Sequence, residues 1–188
     1  MRKLPKPQKV FVLELFFSSI LYASFYFLNL WLTSSISPEY GAHWLFLPAG
    51  IALLLSLTLP LTGPLGISLA VFPIAYWIRF PGELIPSIGI AITAGLAPFI
   101  SRIIVVSELK INHDLSNLNI KNLTLRVLIY SIIRAVLHHN WYVFMGLRVS
   151  NSNGLIVELV GNTLGTLFIL LIFKFFASMS LSGKSKNQ

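Results

Sequence analysis

The chain contains no cysteine, which excludes disulfides, thiolate metal ligands and thiol nucleophiles. Charge is scarce too. Only 11% of the 188 residues are charged, and Asp and Glu together number 6. A soluble domain carries about 25% charged residues. Hydrophobic residues make up 55% of the chain, so too little polar surface remains to cover a globule in water. The natural solvent is a bilayer. The net charge of +8 would suit nucleic acid. However, the basic residues lie between apolar runs, where membrane topology puts them, and no nucleic-acid partner is expected.

Catalytic signatures are missing as well. There is no GxSxG, no P-loop, no GxGxxG and no HExxH. The chain is therefore read as a non-enzyme, with no cofactor and no metal. His138 and His139 are adjacent, and neighbours on a helix point about 100° apart, which is poor geometry for two ligands of one ion.

What the chain does have is long apolar runs. A spanning helix takes about 20 such residues. Six stretches qualify: 10–33, 43–61, 64–79, 84–106, 127–148 and 154–178. The expected fold is a single all-α domain over 1–188, a polytopic membrane helix bundle. The start, MRKLPKPQKVFVLELFF, has the basic character of a signal peptide. Its apolar run is too long for one and lacks a small-residue cleavage site, so it is read as a retained first helix.

Charge counting sets the orientation. Arg2, Lys3, Lys6 and Lys9 precede the first span. Arg102, Lys110, Lys121 and Arg126 flank the 107–126 connection, and Lys174, Lys184 and Lys186 close the chain. The other side shows only Arg79 and Arg148. Both termini and the 107–126 loop are expected in the cytoplasm. Trp31, Trp44, Trp77 and Trp141 fall towards the outer ends of spans, as an aromatic belt would.

The fifth span carries the residues least suited to lipid. Residues three, four and seven apart share a helix face, so Ser131, Arg134, His138, Trp141, Tyr142 and Met145 form one stripe. A charge at the bilayer centre is costly unless paired or watered, so the stripe should face protein or a cavity. Counted from the start of its span, Arg134 lies about 12 Å deep and Glu14 about 7 Å, which makes Glu14 the expected counter-ion. In the sixth span Glu158, Gly161, Asn162 and Gly165 share a face, and GNTLG is a small-xxx-small pattern that admits close approach. Antiparallel packing of the last two spans would bring His138 or His139 to Glu158 or Asn162. That contact serves either packing or a proton- or ligand-responsive site. Pro48 and Gly50, in LPAG, mark a kinked helix start that can border the same cavity or be an ordinary kink.

The stretch HWLFLPAGIALLL, 43–55, resembles the W-P-P-A-G-I-A-L-A signature of the first-type MASE family. These are integral-membrane sensor domains found ahead of bacterial histidine kinases and diguanylate cyclases. ITAGLAPFISRIIV and VELVGNTLGTLFILLIF are similar to later segments of that family, and the resemblance covers most of 43–173. Two departures stand out. The family has about eight spans where six are counted here, and its closing aspartate appears as Asn162. The resemblance implies a bacterial inner-membrane sensor or regulatory module that signals to a separate membrane or signalling protein; the stripe itself, with a cation, an imidazole and aromatic walls, suits a small-molecule ligand or proton sensing by His138. The alternative is the substrate-binding subunit of an energy-coupling-factor transporter. SSILYAS, with Ser18, Ala23 and Ser24, fits poorly the small-residue face such a subunit needs.

Overall fold

Helix is the only regular structure among the described residues. The computed structural model describes residues 7–33, 43–108, 120–147 and 152–185. Outside that description lie Arg2, Lys3, Lys6, Lys110, Arg148 and Lys186 of the orientation count, and most of the 107–126 loop. The helices are α1 (Gln8–Thr33), α2 (Leu47–Thr58), α3 (Thr62–Ile74), α4 (Leu84–Glu108), α5 (Ile120–Phe144) and α6 (Ser152–Ser185). A single π turn, Ala75–Arg79, continues α3.

The bundle is turned inside out relative to a soluble protein. Leu13, Phe17, Ile20 and Trp31 of α1 point outwards, as do Leu171 and Phe175 of α6. Serine, asparagine, arginine and histidine side chains lie inside. That arrangement fits hydrocarbon as the solvent. Among the described residues three helices are long and apolar enough to cross a membrane: α1, the Leu84–Ile104 part of α4 and the Asn153–Phe175 part of α6. α5 has 25 residues, but Arg126, Arg134 and its histidines interrupt its apolar character.

The centre belongs to the shortest helix. α2 touches each of the other five, and α1, α3, α4, α5 and α6 follow one another around it. Its 12 residues rise about 18 Å, short of the roughly 30 Å hydrocarbon core. Leu47 to Leu53 are buried without a break, as expected of a helix that is apolar all round.

The expected helix over 43–61 is therefore corrected, because residues 43–46 are not helical. Pro48 has no N–H and suits a first helical turn, so α2 starts beside it. Two bonds satisfy the backbone ahead of it. The Phe46 N–H donates to the Gly161 carbonyl at 3.0 Å, and the Leu47 N–H donates to Asn29 Oδ1 at 2.8 Å. Gly161 and Gly165 make this possible. A Cβ on Gly161 would collide with the His43 carbonyl, and one on Gly165 with the Phe46 carbonyl. The small face of α6 thus receives a stretch of open backbone.

α3 is interrupted as well. Pro73 cannot donate to the preceding turn, and the chain widens to the π turn, closed by the Phe80 N–H on the Ala75 carbonyl at 2.8 Å. This turn carries Arg79 at its end. The α2–α3 turn, Pro60–Thr62, lies beside Gln8 and Phe11 at the start of α1.

Candidate functional site: a buried polar cluster

Polar side chains from three helices, the π turn and the non-helical segment before α2 converge in the half of the bundle away from the α2–α3 turn. α1 presents Tyr22, Tyr26, Asn29 and Thr33, spaced four, three and four apart on its buried face. α5 presents Arg134, His138 and Tyr142, and α6 presents Glu158 and Asn162, each series at the i, i+4 spacing. Arg79 comes from the π turn. His43 and Phe46 come from the non-helical segment.

Arg134 is the hub and is only 4% exposed. Its Nε donates to Asn162 Oδ1 at 3.1 Å. Its guanidinium lies over the Phe46 ring, 4.6 Å from the centroid, where the π face attracts a cation. One turn up, His138 Nδ1 is 3.2 Å from Glu158 Oε1. The His138 ring sits 5.2 Å from that of Tyr142. Arg79 spans the far side, with Nε donating to the Tyr26 hydroxyl at 3.0 Å and Nη1 to the Tyr142 hydroxyl at 2.9 Å. Asn29 uses both ends of its amide. Its oxygen accepts from Leu47, and its nitrogen donates to Thr33 Oγ1 at 3.1 Å. The His43 ring stacks on Phe46 with 5.7 Å between centroids.

Two small enclosures flank Arg134. One is lined by His43, Phe46, Arg134, His138, Glu158 and Asn162. The other lies between α1, the π turn and α5, with Tyr22, Tyr26, Arg79, Arg134 and His138 on its wall. Each offers about 10 Å³, close to what one water molecule needs. His43, His138 and Glu158 share the first enclosure, but no three such groups converge to hold a metal ion among the described residues.

The structure thus brings Arg134, His138, Tyr142, Glu158 and Asn162 together. It leaves other expected members outside. Trp141 turns to α4, where Nε1 donates to the Pro86 carbonyl at 3.2 Å beside Gly89. Pro48 and Gly50 do not border either enclosure. Gly50 packs against Ile169, and Phe46, just before the helix, forms the wall instead.

The expected Glu14–Arg134 pair is not formed. Glu14 accepts from the Thr62 hydroxyl at 2.8 Å, while Arg134 is level with Tyr22, about 12 Å further along α1. The depth count failed because α5 begins at Ile120, well before the apolar run at 127, so Arg134 lies deeper than its distance from that run implied.

Arg79, Tyr22, Tyr26, Asn29 and His43 were not anticipated. The α1 residues had a signal: on a helix otherwise made of Phe, Leu and Ile, they lie at helical spacing. Arg79 had none, since a cation beside Pro81 and Gly82 also suits a surface turn.

Comparison with family models, with curated proteins and with solved structures gives no match.

Proposed function

We propose that the chain is a non-enzymatic sensor or regulatory module of a bacterial inner membrane, with both termini in the cytoplasm, acting on a separate signalling partner. The observation that carries this reading is the closed polar cluster built around the start of α2. Arg134, His138 and Glu158 are buried in a bundle whose exterior is apolar, and half-buried Arg79 joins them through Tyr142. Ionisable groups in such a place are costly, and function is the usual reason for them. The cluster also has a lever. The start of α2 is tied to Asn29 and Gly161, and its other end leads to the turn beside the start of α1. A change in the cluster that frees Phe46 would shift α2 as a unit and move that turn. Hinge and shear motions of this kind link a buried site to a distant face. The resemblance of HWLFLPAGIALLL to the first-type MASE sensors supports the same reading, because that stretch builds the start of α2.

The test is photo-crosslinking from positions 61 and 62 in native membranes, followed by an output assay on the captured protein. The expected partner is a kinase or nucleotide cyclase whose activity changes when this chain is deleted. Capture of an ATPase with a coupling subunit would replace the reading by the transport alternative. That alternative calls for a solute-sized chamber, whereas each enclosure at the cluster holds about one water.

A further inference from the structure

We propose that the seam between α1 and α3 holds one anionic phospholipid, with an acyl chain along the seam and the phosphate at the start of α1. The proposal goes beyond the sensor reading and needs neither a partner nor a particular side of the membrane. Three observations meet here. First, the seam has room. A groove of about 660 Å³ opens at the start of α1, against Gln8, Phe11 and Val12 and against Pro60, Leu61 and Thr62 of the α2–α3 turn. Another, of about 550 Å³, follows further along, against Phe16, Ile20 and Ala23 of α1 and Leu69 and Pro73 of α3. Second, the two grooves share one helix face. Positions 8, 12, 16, 20, 23 and 27 of α1 succeed one another at steps of four and three, so together they trace a channel along the helix. From Gln8 to Ile20 the helix rises about 18 Å, close to half of the roughly 30 Å hydrocarbon core. That is the reach of an acyl chain within its own leaflet. Third, the charge at the mouth is of one sign. Ahead of Glu14 the sequence holds Arg2, Lys3, Lys6 and Lys9 and no acidic residue. Lys9 is exposed beside Gln8, at the edge of the groove. A cluster of basic residues immediately outside a spanning helix attracts anionic headgroups.

The walls favour a flexible chain over a helix. The floor is made of small residues, Ser19, Ala23 and Ala70. Ser19 offers no free donor there, because its hydroxyl donates to the Gly66 carbonyl at 2.6 Å. The rims are large and exposed, with Phe16 and Phe27 on one side and Leu69 and Trp77 on the other. A partner helix comes close where the facing surface is small, and these rims hold it off. An acyl chain passes between them. Glu14 does not oppose the headgroup, because its carboxylate lies about 7 Å further in than Lys9 and accepts from the Thr62 hydroxyl.

The experiment is native mass spectrometry of the purified full chain in detergent, incubated with phosphatidylglycerol or with phosphatidylcholine of identical acyl chains. One phosphatidylglycerol per chain is expected, retained at least about fivefold better than phosphatidylcholine, the effect of one basic side chain at a membrane surface. Lys3→Gln, Lys6→Gln and Lys9→Gln together should remove that preference and leave weak uptake of both lipids. Raised salt should narrow it in the parent chain, with no substitution needed. Val12→Trp, at an exposed position inside the groove, should lower retention of both lipids. Leu171→Trp, exposed on α6 and outside the seam, should change neither. Equal retention of the two lipids by the parent chain overturns the proposal. So does a preference that survives both the lysine changes and high salt, or retention unaffected by Val12→Trp. A dimer that sheds its lipid as it forms would make a second copy of the chain the occupant and overturn it too.

Discussion

Replacing Gly165 by alanine should damage this protein far more than a single methyl group suggests. The added carbon would fall on the Phe46 carbonyl and the Leu47 nitrogen. Both are backbone atoms, so no side chain can rotate aside. The segment is also pinned, by Phe46 N–H to Gly161 at 3.0 Å and by Leu47 N–H to Asn29 at 2.8 Å. Overpacking of this kind costs about 1–3 kcal/mol. Relief by moving the segment would break one of those bonds and leave a buried donor unmatched, about 1–3 kcal/mol more. For a chain of this size each kcal/mol lowers the unfolding midpoint by about 2–4 °C, so a fall of roughly 5–20 °C is expected. The assay is thermal unfolding followed by intrinsic tryptophan fluorescence in one detergent. Leu164→Ala, next along α6 and half-exposed on its outer surface, serves as the control and should shift the midpoint much less. A Gly165→Ala midpoint within about 1 °C of the parent would refute the close approach of the 43–46 segment to α6.

Other consequences are equally open to measurement. Glu158→Gln and His138→Gln should each destabilise the fold, by about 3–5 kcal/mol if the pair is ionised, with a coupling of at least about 1 kcal/mol in a double-mutant cycle. Strict additivity would mean that the 3.2 Å contact contributes nothing. Glu14→Gln and Arg134→Gln, by contrast, should add within about 0.5 kcal/mol, because the two side chains have different partners. Reporter fusions active only outside the cytoplasm should be silent at Gln188 and active near Ser152; the reverse pattern would overturn the proposed orientation.

Much of the fold is legible in the sequence, because apolar runs long enough to cross a bilayer have few other uses. The polar residues of α5 and α6 are legible too. Arg134, His138, Glu158 and Asn162 repeat at helical spacing in apolar surroundings, and burial cost leaves them only the interior. Less legible is what meets them. Periodicity assigns a residue to a face but does not name the neighbour, so Glu14 looked like a partner for Arg134 when Asn162 and Phe46 hold it. The break at 43–46 was hidden for a related reason. HWLF is as apolar as any helix, and its backbone is satisfied by Asn29 and Gly161, which lie far away in the sequence. Arg79 looked like a surface charge because its partners, Tyr26 and Tyr142, are on other helices.

The central claim is that the cluster is a responsive site rather than a fixed packing core. Because the chain has no cysteine, single cysteines report on this directly. Ser131→Cys and Tyr142→Cys place a thiol on the buried face of α5, and Ile132→Cys and Val136→Cys place one on its outer face. Labelling in native membranes with a small, charged thiol reagent should reach the inward pair slowly and should spare the outer pair. Equal protection of all four positions would contradict the account and leave the cluster as a dry structural core.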